Sequence, residues 1–350
     1  MSYKNNTNKR SRLRTLLSIL VTAGLLVGPW AVTTAFGEID MAVVAVGYAG
    51  NEKDNTGYGA VSYGYYIGKY EVTNGQYVAF LNAVAATDTY NLYNVFMNTH
   101  VRGGITRLGE AGEYSYALKS SDWALKPVNF VSFYDAARFV NWLTNGQGEA
   151  GTTEYGLYVF SSDGSTLVST PDHAEAAGGG GWVIASDDEW YKAAYYNPAL
   201  NGGNGGYTDY PWKGGEVPSL DRCAVNGANF SGGPGTVRDV GYYTNATTFF
   251  GTYDQGGNVL EWTDTVYSDD VSRVMRGGAF NFTAESLSTT YSRTSFAPAS
   301  EYDGIGFRVV RLMAVPVVVP EPGAVAGAMG LLVLIIGLWG RAQRRSGTGV

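Results

Sequence analysis

Glycine is abundant in this chain and amphipathic helical stretches are few, a combination that strongly narrows the available folds. The 350 residues include 48 glycines and 26 tyrosines, and only 16% are charged. Apolar residues recur at helical spacing over residues 73–84 and 132–143, and more briefly over 187–195. Strands are predicted where short apolar runs are bounded by turn residues, at 43–46, 65–69, 155–160, 182–185 and 307–312. We therefore expect a loop-rich domain with short helices and strands.

Each helical stretch begins with a capping signal. Thr73 and Ser132 can accept hydrogen bonds from the first helical turn, and Asp135 completes a capping-box variant with Ser132. Ser186 precedes the acidic run 187–189, which would also suit the paired carboxylates of a glycosidase. The position of this acidic run at a helix start is instead explained by the favourable interaction of carboxylates with the helix dipole.

Both ends of the chain carry targeting patterns. Residues 1–35 have a basic start, an apolar run and then small residues, which is typical of a secretory signal peptide. An uncleaved N-terminal anchor is the alternative. At the other end, a linker over 313–322 contains Pro320, Glu321 and Pro322. Residues 323–345 combine an apolar stretch with a basic tail, as in a transmembrane helix of about 20 residues with a cytoplasmic stop.

The order of tripeptide, helix and basic tail resembles the PEP-CTERM sorting signal of Gram-negative bacteria. That resemblance implies an exosortase-type partner, which cleaves near the tripeptide and passes the protein toward the surface. We therefore expect an exported protein anchored in the inner membrane through its C-terminus, then placed on the cell surface or in the extracellular matrix. A simple tail anchor is the alternative.

The charge balance of the body argues against nucleic acid as a partner. Five of the 24 basic residues lie before residue 36 and three after residue 340, so 16 remain against 31 acidic residues. Affinity for nucleic acid depends on neutralising phosphates, which an acidic body does poorly. The single cysteine, Cys223, cannot close an intramolecular disulfide. We expect it to be a small buried residue, with a reactive thiol as the alternative.

A series of short motifs runs through the body in a fixed order. They are YIGKYEVTN at 66–74, KPV at 126–128 with the helix that follows, WVIASDDEWYKAA at 182–194, YPW at 210–212, GGNVLEW at 256–262, RGG at 276–278 and GFR at 306–308. Together, over residues 41–312, they resemble the formylglycine-generating enzyme (sulfatase-modifying factor) family. The resemblance implies an α+β, decorated C-type-lectin-like fold with little regular secondary structure over 36–312, in addition to the C-terminal helix.

The known chemistry of that family depends on thiols that this chain lacks. Its members oxidise a substrate cysteine with their own copper-binding cysteines, which follow an RGGS motif. Here Ala279 replaces the serine, and Phe282 and Leu287 or their neighbours stand where the thiols would follow. Neither side chain can bind copper, so we expect no copper and no oxidase activity. The expected scaffold of the cleft comprises Arg276, Gly277, Gly278, Ala279 and Arg308.

The best metal-site candidate is the pattern formed by Asp254, Gly257, Val259 and Glu261. Calcium takes six to eight oxygens, from carboxylates and from the carbonyls of a tightly turned loop. This segment offers both, and in the family the matching positions resemble a structural calcium site with an amide in place of Asp254. The alternative is that Glu261 caps or pairs within a turn.

A second calcium site of the family would use Asn229, the carbonyl of Phe230 and an acid further on. No acid occurs between residues 231 and 237, and Asp239 is the nearest. The only histidines, His100 and His173, lie in separate predicted loops, where we expect them to be solvated. No GxSxG motif supports nucleophilic catalysis by serine.

Aromatic side chains in loops are the remaining binding candidates, since they make rigid amphipathic contacts with sugars or proteins. They are Tyr195, Tyr196, Tyr207, Tyr210, Trp212, Tyr242 and Tyr243. We therefore expect a non-catalytic surface protein that binds a polysaccharide, peptide or protein through calcium-ordered loops. The alternatives are an enzyme of unrecognised type that reuses the cleft, and a purely structural matrix protein.

Overall fold

The computed structural model of the chain describes residues 38–231, 233–291 and 293–312. The signal peptide, the linker with its tripeptide and the C-terminal apolar stretch lie outside the described residues. Within those described, no helix is both long and apolar enough to span a membrane.

Short helices and strands alternate along the domain. The helices are α1 Asn74–Val84, α2 Phe96–Thr99, α3 Phe133–Thr144, α4 His173–Ala176, α5 Asp187–Tyr195 and α6 Leu200–Gly203. The strands are β1 Val43–Val46, β2 Tyr65–Gly68, β3 Ile105–Leu108, β4 Ser115–Leu118, β5 Val159–Phe160, β6 Leu167–Ser169, β7 Trp182–Ile184, β8 Tyr196–Asn197, β9 Gly206–Tyr207, β10 Leu260–Val266, β11 Arg273–Arg276, β12 Arg293–Phe296, β13 Ile305–Phe307 and β14 Val309–Arg311. The domain is therefore of the mixed α+β class.

The three predicted helices are confirmed, together with their capping signals. Thr73, Ser132 and Ser186 each accept a hydrogen bond from the backbone N–H three residues on, and each helix has a complete capping box. Helix α3 buries almost its whole length. Its Phe139 ring packs edge-on against Phe307 of β13, with 5.4 Å between ring centroids. These local signals fix where the helices begin, and the apolar core holds them in place.

Two four-stranded sheets form the framework of the domain. In the first, the strand order is β1-β2-β14-β7, and every pairing is antiparallel. In the second, the order is β12-β11-β10-β13, and only the β10–β13 pairing is parallel. Strand β14, from the C-terminal end of the domain, thus lies between β2 and β7, two strands that come much earlier in the chain.

The chain passes from the second sheet to the first at a single residue, Arg308. The prediction of one continuous strand over 307–312 is therefore wrong in detail. Strand β13 pairs with β10 and ends at Phe307, whereas β14 begins at Val309 and pairs with β2 and β7. The predicted strand over 155–160 also shortens, to Val159–Phe160. The crossing places the Arg308 side chain between the two sheets.

Candidate functional site

A buried ion pair joins the two sheets at the crossing. Arg308 and Glu261 are at most 1% exposed, and the guanidinium Nε and Nη2 donate to the two Glu261 carboxylate oxygens at 2.8 and 2.7 Å. Arg308 also donates to the carbonyls of Gly68 and Tyr253. Trp190 Nε1 donates to Glu261 Oε2 at 2.7 Å. Charge-assisted bonds of this bidentate kind are strong and directional, so the pair fixes how the sheets meet.

Two further carboxylates approach the same arginine. Burial raises the pKa of Asp254 to about 6, although the Gly241 N–H and Arg308 act to lower it. Burial and the nearby Asp254 raise the pKa of Glu71 well above its usual range. Glu71 Oε1 accepts from Asn258, while its buried Oε2 has no hydrogen-bond partner among the described residues. Three carboxyl groups thus surround one guanidinium, and burial favours the neutral form of Glu71 and Asp254.

The loop that carries the predicted calcium ligands turns sharply. Asp254, Gly257 and Asn258 all have positive φ, at 58°, 89° and 61°. A Cβ on Gly257 would lie 2.1 Å from the carbonyl oxygen of Asn229, so this position requires glycine. Val259 is fully buried beside this turn. The structure therefore brings Asp254 and Glu261 close to one tight turn, although both Glu261 oxygens already accept hydrogen bonds from Arg308. A mixed carboxylate and carbonyl site would have to share Glu261 with that arginine.

In the described part of the chain, no three His, Cys, Asp or Glu side chains converge at metal-binding distance. A calcium ion at this turn would therefore need backbone carbonyls as well as the two carboxylates. The unpartnered Glu71 oxygen and the excess of buried acid favour such a cation, since both are relieved by positive charge.

The residues of the weaker calcium prediction are partly engaged elsewhere. Asn229 is buried, and its Nδ2 donates to Thr236 and Asn258, while its Oδ1 has no partner among the described residues. The carbonyl of Phe230 accepts from Gly233. Asp239 instead forms a salt bridge of 2.6 Å with Lys126. An amide oxygen is thus available here without the carboxylate that the family pattern would add.

The predicted cleft scaffold contains a second charged network. Arg276, which is fully buried, donates from Nε to Asp187 Oδ1 at 2.5 Å, and Arg293 donates to Asp187 Oδ2 at 2.9 Å. The Arg276 guanidinium lies 4.7 Å from the ring centroid of Tyr58 and 4.9 Å from that of Tyr191. Asp187 lies in the first turn of α5, as predicted, but no local sequence pattern indicates its two arginine partners.

The residues around this network are tightly packed. Gly277 and Gly278 both have positive φ, and Ala279 is fully buried. Leu287 is also fully buried, and Phe282 is partly buried against the core. Both Phe282 and Leu287, which the resemblance places at or next to the positions of the family's thiols, are therefore packed apolar side chains.

The prediction that His173 is a solvated loop residue is wrong. It lies in α4, 9% exposed, with Nδ1 2.8 Å from Glu189 and Nε2 3.1 Å from Asp264. Burial alone would lower the pKa of His173, but the two carboxylates outweigh it and raise the pKa to about 10. The hydroxyls of Tyr63 and Tyr158 donate to the same two carboxylates. Because these partners are distant in sequence, no local pattern reveals them.

The prediction for Cys223 is also wrong, because the thiol is exposed. Its backbone N–H donates to the Asp221 side chain in a surface turn, which keeps the residue out of the core. Among the loop aromatics, four are buried and belong to the core: Tyr195, Tyr196, Trp212 and Tyr243. The partly exposed ones are Tyr207, Tyr210 and Tyr242.

The fold and these buried networks define a mixed α+β domain in which ion pairs connect two small sheets. The family model of the sulfatase-modifying factor enzyme 1-like domain matches residues 29–313. The chain belongs to this family.

Similar folds are found among solved structures. Treponema denticola variable protein 1 is 18% identical, with a TM-score of 0.49, over 79% of this chain and 96% of that one. CarF is 21% identical, with a TM-score of 0.45, over 78% and 98% of the two chains. PvdO from Pseudomonas aeruginosa is 20% identical, with a TM-score of 0.44, over 78% and 92%. A search of curated protein sequences gave no significant match.

Proposed function

We propose that this protein is an exported, surface-sorted and non-catalytic member of its family, which binds an extracellular polysaccharide, peptide or protein. The observation that carries the proposal is the packing at Phe282 and Leu287. By the family resemblance these apolar side chains, or their neighbours, stand where the copper-binding thiols would lie, and the only cysteine of the chain, Cys223, is in an exposed turn. Copper-dependent oxidation of a substrate cysteine that is abolished by Cys223→Ala would overturn this proposal.

Calcium is the cofactor that suits the loop at Asp254 and Glu261. The two carboxylates and the carbonyls of Gly257 and Val259 would hold the ion, and the unpartnered oxygen of Glu71 is a further oxygen atom nearby. Such an ion would neutralise buried acid and order the surrounding loops. These residues do not form a copper site, since none of them is a cysteine or a histidine.

Calcium binding can be measured by isothermal titration together with thermal melting, in wild type and in Glu261→Gln. We expect calcium to raise the melting temperature of the wild type by several degrees, because it binds only the folded state. Glu154→Gln is the matched control, because Glu154 forms a comparable bidentate pair with Arg138. The control should be destabilised and yet keep the calcium shift. An equal shift in wild type and Glu261→Gln would place the ion elsewhere.

Export and sorting follow from the two ends of the chain. Residues 1–35 would direct secretion, and Pro320, Glu321 and Pro322 with the apolar stretch after them would be read by an exosortase-type partner. The C-terminal helix would hold the protein in the inner membrane until then. Membrane fractionation before and after truncation at residue 319 tests this, and the truncated protein should leave the membrane fraction.

An enzyme that reuses the cleft is the second candidate, and the network of Asp187, Arg276 and Arg293 favours it. These groups meet where the family performs its chemistry, and Arg293 is partly exposed, with its side chain at 25%. A purely structural role is the third candidate, and it predicts no ligand cavity. Hydrolytic turnover that is lost in Arg293→Met while the fold is retained would support the enzyme.

A further inference from the structure

A polar cavity of about 490 Å³ lies between two loops, residues 50–55 and 201–209, with Thr289 beside them. None of the calcium-site candidates lines it, and neither do Arg276 or Asp187. Its volume falls within the range of about 300–1,000 Å³ that is typical of small-molecule sites. The domain therefore has a space of ligand size apart from the sites described above.

The two walls of the cavity are tied together by one hydroxyl group. The Tyr207 hydroxyl oxygen lies 2.9 Å from the carbonyl oxygens of both Glu52 and Gly59, and it accepts a hydrogen bond of 2.7 Å from Asn51 Nδ2. Gly59 has a φ of 91°, and a Cβ there would lie 2.6 Å from that hydroxyl. The Tyr207 hydroxyl thus holds the loop of residues 50–55 against the loop of residues 201–209.

The second wall is fixed in a similar way. Asn201 Nδ2 donates to the carbonyl of Gly205, and the backbone N–H of Thr208 donates to Tyr195. The backbone N–H of Thr289 donates to the carbonyl of Asp209 at 2.9 Å. A cavity with walls held by internal hydrogen bonds loses little conformational entropy when a ligand binds, so it is suited to recognition.

The polar groups at the cavity indicate the class of ligand. The side chains of Glu52, Lys53 and Asp209 line it and are exposed, whereas Asp54 is used by its own loop and by Tyr191. Carboxylates accept hydrogen bonds from neighbouring hydroxyls, and an ammonium group donates to ring or hydroxyl oxygens. Acidic groups outnumber the basic one, which disfavours phosphates, nucleotides and acidic sugars.

An exposed aromatic ring packs against a residue that lines the cavity. Tyr48 is 50% exposed, and its ring contacts that of Tyr196, a cavity residue, with 6.2 Å between centroids. Tyr48 has a φ of 55°, and its carbonyl accepts from Lys192 Nζ at 3.0 Å. Phe249 also packs against it. The ring is thereby held in place with one part open to solvent, as a stacking surface for an apolar face.

We propose that this cavity binds a neutral saccharide, with hydroxyl groups on Glu52 and Asp209 and a sugar ring against Tyr48. This inference rests on the proposed ligand-binding function and adds to it the site and the class of ligand. A polar cavity flanked by an aromatic ring suits a sugar, which has polar edges and an apolar face.

The test is isothermal titration of the full-length protein in detergent with three neutral hexasaccharides, cellohexaose, mannohexaose and chitohexaose, and with hexagalacturonate as the acidic counterpart. We expect at least one neutral hexasaccharide to bind. Asp209→Ala and Tyr48→Ala should each weaken that binding by about tenfold or more, because each removes a contact with the sugar. Asp122→Ala and Tyr155→Ala are the matched controls, since both residues are exposed and neither lines the cavity. Melting curves confirm that each variant is folded.

Several outcomes would overturn the assignment. They are binding of hexagalacturonate alone, binding that survives in Asp209→Ala and Tyr48→Ala, and equal losses in the controls. In each case a saccharide still binds, so the general binding function stands and only the cavity or the class is rejected. If no saccharide binds but calcium-dependent capture of peptides or proteins succeeds, the saccharide class is rejected alone. If neither occurs, the proposed function fails as well.

Discussion

His173, Glu261 and Asp187 each lie buried in contact with an opposite charge that is distant in sequence. His173 is held between Glu189 and Asp264, and Glu261 is held by Arg308. Removing one partner from a buried pair leaves an uncompensated charge, at a cost of about 3–5 kcal/mol. At the scale of single residues, the stability of this domain therefore depends on complete pairs.

The His173 cluster gives the domain a definite pH dependence. The unfolded pKa of histidine is about 6.5, and the folded pKa of His173 is raised to about 10. Its stabilisation is therefore fully present below about pH 6.5 and is lost as the pH rises through about 10. We expect His173→Gln to lower the melting temperature most near pH 6 and progressively less toward pH 10.

Thermal melts of wild type and His173→Gln at pH 6, 8 and 10 test this expectation. His100→Gln is the control for the loss of a histidine. The Nδ1 atom of His100 accepts a hydrogen bond from the backbone N–H of Arg102, whereas both ring nitrogens of His173 contact carboxylates. A difference between wild type and His173→Gln that stays constant with pH would show that His173 contributes by packing alone.

A glycine inside a sharp turn provides a second test at this scale. Gly257→Ala would place a methyl group 2.1 Å from the carbonyl oxygen of Asn229 at a φ of 89°. We expect a loss of at least about 2 kcal/mol in the free energy of unfolding. Gly112→Ala separates the two effects, because Gly112 has a φ of 99° with nothing within 4 Å. Chemical denaturation should show the smaller loss in Gly112→Ala, and equal losses would leave backbone strain as the only cause.

At the scale of elements, the helices could be predicted and much of the second sheet could not. Helices α1, α3 and α5 carry their capping residues and their apolar spacing within a dozen positions, so the information is local. Strand β11 begins with Arg273 and ends with Arg276, and strand β12 begins with Arg293. The hydrogen-bond partners of these arginines lie in other elements of the chain. Charged residues at buried strand positions obscure the alternation on which strand prediction depends.

The same reasoning explains what the sequence revealed of the candidate sites. Asp254 and Glu261, the acidic residues of the proposed calcium site, could be identified because they lie within eight positions. Glu71 could not be added to them, since it reaches the site only through the folding of β2 beside β14. The cavity beside Tyr48 was equally hidden, because its two loops are some 150 residues apart.

The N-cap of helix α3 provides a test at the scale of elements. Ser132→Ala removes the acceptor for the Asp135 N–H and leaves the buried Asp135 carboxyl with fewer partners. We expect the free energy of unfolding to fall by about 1–2 kcal/mol. Ser186→Ala provides the comparison, because it opens α5 with the same geometry. Urea denaturation measures both, and an unchanged midpoint in Ser132→Ala would show that packing alone holds α3.

At the scale of the whole molecule, an acidic domain with few regular elements is held by one apolar core and several ion pairs. Many of its loops are anchored by side-chain hydrogen bonds, as in the Tyr207 contact with Gly59. This organisation leaves loop surfaces free to differ without loss of the core, which suits the binding function proposed above.

The position of β14 has a consequence for how the protein is made. Strands β2 and β7 emerge from the ribosome long before residues 309–311, yet the strand that lies between them comes last. A nascent chain that stops short of residue 309 therefore has no completed first sheet, and its native contacts span almost the full length of the domain. Topologies with such distant contacts fold slowly. Late completion of this sheet would suit the export proposed above, because a secretion channel admits only an unfolded chain.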